Sequence, residues 1–272
     1  MKNRTMPSYL TRTGVTSAGR EVSRPVHVAP PCVSLAKSLH CWAVLLAGGD
    51  GTRLQRLTHK IAGDSRPKQF CRIFGGKSLL DQARERLRPL FRQDRTMFVV
   101  TSAHEEFYTE NLFDVDSSRL VVQPVNRGTG VAIAIALLRV LQSDPGAIMA
   151  VFPSDHYYSD HAAFASTVES AIRFAEMHPD SLILLGAEPR YPEVEYGWIE
   201  PGPSVSTGAH QSLFRVSRFW EKPPLTKACE LLSSGCLWNT FVGVGSANAF
   251  LQLLCSTVPA TVAKIEGALS CN

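Results

Sequence analysis

The chain has 272 residues, of which 44% are hydrophobic and 19% charged, enough to bury a substantial core in one large domain or two small ones. No apolar run approaches the roughly 18 residues of a membrane span. The formal net charge of +4 sits in residues 1–40, where Lys2, Arg4, Arg12, Arg20, Arg24 and Lys37 face Glu21 alone; the remainder, with 22 basic against 23 acidic residues, gives no footprint for nucleic acid.

Residues 1–40 are rich in Ser, Thr, Pro and Arg and hold no sustained period, so a disordered tail is expected there. Their basic, acid-poor composition resembles a transit peptide, but no amphipathic helix or secretory hydrophobic core accompanies it. From residue 41 to 272 one folded domain is expected. Strands are predicted at Trp42 to Ala47, Met97 to Thr101, Leu120 to Gln123, Ile148 to Phe152 and Leu182 to Ala187. Helices alternate with them at Ser78 to Leu90, His104 to Leu112, Gly130 to Leu141 and Ala162 to Met177. That alternation predicts an α/β fold, a mixed sheet with helices on both faces. Beyond residue 190 strands at Tyr196 to Pro201, Leu213 to Trp220 and Leu237 to Gly245, with helices near Leu225 to Leu232 and Ala247 to Leu254, read as an extension of the same sheet. The seven cysteines are odd in number, scattered and without a C-x-x-C pair, which argues against a disulfide framework or zinc and for a reducing, cytoplasmic setting.

The chain is organised around WAVLLAGGDGTRLQRLTHKIAGDSRPKQF, Trp42 to Phe70. A short buried strand ends at Ala47 in a turn whose Gly48, Gly49 and Gly51 can take backbone angles closed to other residues, so successive N–H groups can converge on an anion. Thr52 and Arg53 follow, and Lys68 adds a compact charge after a proline. A dinucleotide fingerprint fails because Leu54 stands at its third glycine, and a P-loop ending at Gly76-Lys77-Ser78 fails because Cys71 stands at its opening glycine. Taken alone, the glycine stretch reads as an ordinary tight turn, and other parts of the chain must decide.

Two further strand ends carry polar groups. In Gln123-Pro-Val-Asn-Arg-Gly128-Thr129 the amides suit a base edge and Gly128 and Thr129 open a helix towards an anion or ribose, unless Thr129 simply caps it. In Phe152-Pro-Ser-Asp155-His156 a carboxylate at the end of a buried strand suits a hard cation, whereas His156 suits local hydrogen bonding. Downstream, Tyr196-Gly197-Trp198-Ile-Glu200, Phe219-Trp-Glu221-Lys222-Pro223 and Leu237-Trp-Asn239-Thr240 mix aromatics with groups that suit a phosphorylated sugar, or else form core aromatics beside a surface ion pair.

In this order, LLAGGDGTRL with RPKQF, QPVNRGTG, FPSDH, EYGWIE, FWEKP and LWNT resemble the signatures of the sugar-1-phosphate nucleotidyltransferases, most of all the mannose-1-phosphate guanylyltransferase branch, from about Trp42 to Leu254. The resemblance implies a Rossmann-like nucleotidyltransferase fold, Mg2+ as cofactor, and GTP or another NTP with a sugar 1-phosphate as partners; self-association is left open. It implies that Arg53, Lys68 and Asp155 are catalytic, with Asp155 on the metal. Ala47, Gly48, Gly49, Gly51, Thr52, Gln123, Gly128 and Thr129 would hold the nucleotide, and Gly197, Glu221, Lys222 and Asn239 the sugar phosphate. The pattern departs from the family at Asp50, whose carboxylate is expected to point away from the ligand, and at Gln55-Arg56. A further acidic motif bearing a second metal-binding aspartate is not found in Ala247 to Asn272, which implies either a truncated product or a metal held by Asp155 alone with weak or absent activity. The alternatives are a catalytically inactive nucleotide-sugar-binding or regulatory homologue and a glucose-1-phosphate uridylyl- or thymidylyltransferase.

Overall fold

The computed structural model describes residues 39–73, 75–205 and 213–270, together with the backbone of residues 8–13. In chain order the elements are β1 (Ser8–Thr13), β2 (Cys41–Leu46), α1 (Gln55–Ala62), α2 (Leu79–Leu87), β3 (Thr96–Thr101), α3 (Glu105–Leu112), β4 (Leu120–Gln123) and α4 (Thr129–Ser143). They continue with β5 (Ile148–Pro153), α5 (His161–Met177), β6 (Leu182–Ala187), β7 (Gly197–Val205), β8 (Leu213–Glu221), α6 (Leu225–Ser233), β9 (Leu237–Ser246), α7 (Ala247–Thr257) and α8 (Pro259–Ser270).

One nine-stranded sheet runs in the order β4-β3-β2-β5-β9-β6-β1-β8-β7. Strands β2 to β5 are mutually parallel, and β9 enters antiparallel between β5 and β6. The extension predicted beyond residue 190 is therefore part of the same sheet. Strand β2 shows why the fold has three layers: Cys41, Ala43, Leu45 and Ala47 pack with residues of α2, α3 and α5, while Trp42 and Val44 pack on the other face with α4, α7 and α8. A strand buried on both faces reads as a continuous apolar run, as CWAVLL does. The Val131–Ala136 alternation is helical, as its alanine content predicts; Ala132, Ala134 and Ala136 are the small residues that let α4 lie close on the sheet.

Three elements correct the reading of the sequence. Ser8–Thr13, inside the stretch expected to be a disordered tail, pairs parallel with β6 and antiparallel with β8. Its partners are far along the chain, so composition gives no hint of it; the rest of residues 1–38 lies outside the described residues. Helix α1 is not expected from the sequence; it buries no apolar residue, and its Leu57 and Ile61 stay exposed. Helix α8 is hidden by a weak pattern, in which Val262 is the buried residue that meets α4 and α7. Lys77 pairs with Glu85 on the surface beside a capping box of Ser78 and Asp81, in keeping with its exclusion from a P-loop.

Two core positions generate predictions. Gly245 sits where β9 faces β6, and a Cβ there would lie 2.4 Å from the Leu182 Cδ2 and 2.9 Å from the Ser181 carbonyl. Gly245→Ala forces backbone apart and should cost about 1–3 kcal/mol of stability in chemical denaturation. His104, buried in the turn after β3 and edge-on to Phe70 at 6.2 Å, has its pKa lowered from 6.5 by desolvation, which Asp50 at 3.4 Å offsets in part. The unfolded chain therefore takes up the proton first, and this group contributes a loss of stability as pH falls below about 6.5 towards the lowered folded value. His104→Asn should show a smaller drop in melting temperature than the wild type between pH 7 and pH 5.

Candidate nucleotide and sugar-phosphate site

The carboxyl ends of β2, β3, β4, β5 and β6 share one edge of the sheet, and β9 starts at the same edge, where Trp238 pairs with Ala187. Ligands collect at such an edge in open α/β sheets. Here it forms an open cleft of about 1190 Å³, lined among others by Gly49, Lys68, Thr129, Asp155, Glu195, Gly197, Glu221 and Asn239. That volume exceeds the roughly 300–1,000 Å³ of a single small-ligand pocket and leaves room for two substrates.

The glycine turn is built from its carbonyl side. The Leu46 carbonyl accepts from the Ser154 hydroxyl at 2.7 Å. The Ala47 and Gly49 carbonyls accept from the buried Gln69 amide at 2.9 and 2.8 Å, and the Gly48 carbonyl accepts from the Thr101 hydroxyl at 2.9 Å. With these carbonyls tied back, the N–H groups of residues 48–53 make no hydrogen bond among the described residues. They are unsatisfied donors along a concave turn, the chemical requirement of an anion cradle. Gly48 has no room for a Cβ, which would meet the Thr101 hydroxyl at 2.8 Å. Gly51 takes φ +61° with the Lys68 amide 3.3 Å from where its Cβ would be, so the lysine segment is docked directly on the turn. Asp50 turns to the neighbouring loop: its carboxylate accepts from the Asn126 amide at 2.9 Å and faces His104.

Gln123 is 3% exposed beside Gly48, its Nε2 3.3 Å from where a Cβ of Gly48 would be, and its Oε1 has no partner among the described residues. Helix α4 begins without a side-chain cap. Gly128 is its N-cap at φ 86°, so Thr129 does not cap the helix but lies in its first turn, facing the cleft. An uncapped N-terminus presents further free N–H groups and the positive end of the helix dipole.

Opposite the turn, the Lys68 Nζ lies 3.5 Å from the Asp155 carboxylate, both half-buried. Asp155 follows the end of β5, and His156 sits beside it at 3.7 Å with its pKa lowered by burial, hence neutral at physiological pH. Among the described residues no three His, Cys, Asp or Glu side chains converge as a preformed metal cluster. Arg53 does not line the cleft; its guanidinium ion-pairs with Glu195, across the mouth from the glycine turn.

On the far side Gly197 opens β7 opposite Glu221 at the end of β8. A Cβ at Gly197 would meet the Phe219 ring at 2.7 Å, the Glu221 carboxylate at 3.3 Å and the Asn239 Cβ at 3.4 Å, so these three residues converge on one small space. Lys222 is the exception. It adopts φ 45°, its amide donates to the Tyr196 carbonyl, and it does not line the cleft. The aromatics divide in two: Trp198 is fully buried and Trp220 packs under Lys227 at 4.4 Å, both structural, whereas Tyr196, Phe219 and Trp238 wall the cleft. Sequence reasoning gave no role to Gln69, although it lies in RPKQF, or to Thr101; both shape the turn from its carbonyl side, and Gln69 also lines the cleft. It also gave no role to Glu195, the opening residue of EYGWIE, or to Arg190, which has no motif of its own; both reach the cleft through the loop before β7.

Comparison with known proteins agrees with this geometry. A mannose-1-phosphate guanylyltransferase of Escherichia coli is 32% identical over 232 residues, which cover 84% of this chain and 47% of that protein. The xanthan biosynthesis protein XanB of Xanthomonas campestris pv. campestris is 34% identical over 80% of this chain and 44% of its own. The chain thus spans about half the length of the curated relatives it matches. Among solved structures, a mannose-1-phosphate geranyltransferase from Thermus thermophilus superposes with a TM-score of 0.75 at 30% identity, covering 85% of this chain and 65% of that one. The family profile described as Nucleotidyl transferase matches residues 42–252, from the first residues of β2 into α7, and by that match the protein belongs to the nucleotidyl transferase family.

Proposed function

We propose that the cleft transfers a nucleotidyl group from an NTP, with GTP favoured, to a sugar 1-phosphate, with mannose 1-phosphate favoured. The choice of substrates is supported by the names of the relatives; the reaction class is supported by the chemistry of the site. The observation that carries it is a turn, residues 48–53, whose N–H groups have no hydrogen-bond partner among the described residues and whose Gly49 lines the same cleft as Lys68 and Asp155.

In this reading a phosphate oxygen of the sugar phosphate attacks the α-phosphorus in line, the bond to the β-phosphate breaks, and pyrophosphate leaves. The nucleophile is already ionised and requires no strong base, so the protein's contribution is alignment and charge neutralisation. The glycine turn holds the β- and γ-phosphates, Gln123 meets the base edge, and Gly128 and Thr129 at the α4 N-terminus face the ribose. Lys68 bridges the two phosphates that react. Arg53 exchanges Glu195 for the departing pyrophosphate. Gly197, Glu221 and Asn239 seat the sugar; Lys222, outside the cleft wall, would reach the phosphate only by turning inward. Asp155 fits Mg2+ as a single hard oxygen ligand, with substrate phosphates supplying the others, and the ion would add charge neutralisation at the α-phosphate. The free thiols of Cys71, Cys229, Cys236 and Cys255 suit a reducing, cytoplasmic setting. No helix among the described residues is long and apolar enough to cross a membrane.

A pyrophosphate-release assay with mannose 1-phosphate, GTP and magnesium tests the reading. Turnover is expected in the wild type, and Lys68→Ala and Asp155→Asn should each lower kcat by about 10²-fold or more with unchanged thermal unfolding. Binding of nucleotide without turnover in any sugar and nucleotide pair would overturn it in favour of an inactive nucleotide-sugar-binding homologue.

A further inference from the structure

One buried charge stands outside the site just described. Arg86, in the last turn of α2, is 5% exposed, and no carboxylate offsets its burial; desolvation lowers its pKa, with only Tyr158 acting against that. Its Nε has no partner among the described residues. A lone buried cation is costly to a fold, and removing one partner of a buried charge is punished more than removing both. A packing role alone is served better by leucine or methionine, which fill the same space without a charge.

What the guanidinium touches is the segment that carries Asp155. One Nη donates to the His156 carbonyl at 3.2 Å. The Cζ lies 4.6 Å above the Tyr158 ring and 5.3 Å from Phe164, and Tyr158 and Phe164 lie 4.5 Å apart. At the other end of the same segment Ser154 is fixed by its bond to the Leu46 carbonyl. Asp155 is thus held between two anchors, one of them on the base of the glycine turn and one on α2, and between them its carboxylate reaches Lys68.

We propose that Arg86 is a positioning residue for the cleft, fixing the backbone of residues 154–158 so that the Asp155 carboxylate is aimed at Lys68 and at the phosphates of bound substrate. The proposal rests on the functional reading above, but its structural half does not. The cation is held by a carbonyl and two aromatic faces, none of which neutralises it, so its position is set by directed contacts with one loop. An error of about 1 Å at Asp155 is enough to cost roughly 10²-fold in rate.

The test compares Arg86→Met and Arg86→Lys by steady-state kinetics and by hydrogen exchange of the peptide covering residues 153–158. Arg86→Met should lower kcat roughly 10²-fold with KM for the nucleotide nearly unchanged, and Arg86→Lys, which keeps a charge and a donor, should recover most of it. Exchange should rise in 153–158 of the methionine variant and stay at the wild-type level in β2. Wild-type kcat and exchange in Arg86→Met would overturn the proposal, and so would a rise spread evenly over α2, β5 and β2, the mark of a core residue. If Arg86→Met does not fold, Tyr158→Leu, which removes the ring and keeps the cation, must show the same local rise, and its absence overturns the proposal. A wild type without turnover sinks the functional reading, while the exchange comparison still decides the role of Arg86.

Discussion

The site depends on how the end of β2 is tied down. A strand buried on both faces must satisfy its backbone groups as it leaves the sheet, and a chain turning into solvent normally leaves carbonyls and N–H groups mixed. Here Ser154, Gln69 and Thr101 take the carbonyls of Leu46 to Gly49 from three different segments. What remains on the open side is donors. The donor-rich open side of the turn therefore follows from side chains behind it, and the glycines serve mainly to let the backbone come that close.

The same three tethers coordinate the rest of the cleft. Ser154 stands next to Asp155, and Gln69 stands next to Lys68, so fixing the turn also fixes the two charged groups opposite it. Gly51 adds a direct backbone contact between turn and lysine segment. On the far side of the cleft the equivalent organiser is the pairing of Gly197 with Glu221, where the missing side chain leaves a space that Glu221 and Asn239 border. Both halves of the cleft are cut out by glycines lying against residues that could not be there otherwise.

Much of this is legible in the sequence, and the pattern of success has a physical basis. Local signals suffice for β2, α4 and α5, because each buries a face with its own periodicity, for the glycine turn and Asp155, because each follows a strand end, and for Lys68, because a proline fixes the chain just before it. Gln123, Gly197, Glu221 and Asn239 emerge as motif members, and the fold supplies the convergence that spacing alone does not. Strand β1 is not legible, since its pairing with β6 and β8 lies more than 160 residues away along the chain. Arg53 reads from sequence as a phosphate ligand, and its ion pair with Glu195 cannot be foreseen from two residues 142 positions apart. Lys222 reads as a cleft residue because it follows Glu221; a left-handed backbone at that position turns it away.

The most direct test of the central claim is the behaviour of the backbone amides of residues 48–53 in a 15N-labelled protein titrated with GTP and magnesium. If this turn is the polyphosphate cradle, these amides shift together and gain hydrogen-exchange protection, while the Gly197 amide responds only when a sugar 1-phosphate is added. Saturable nucleotide binding that leaves residues 48–53 unshifted and unprotected would contradict it.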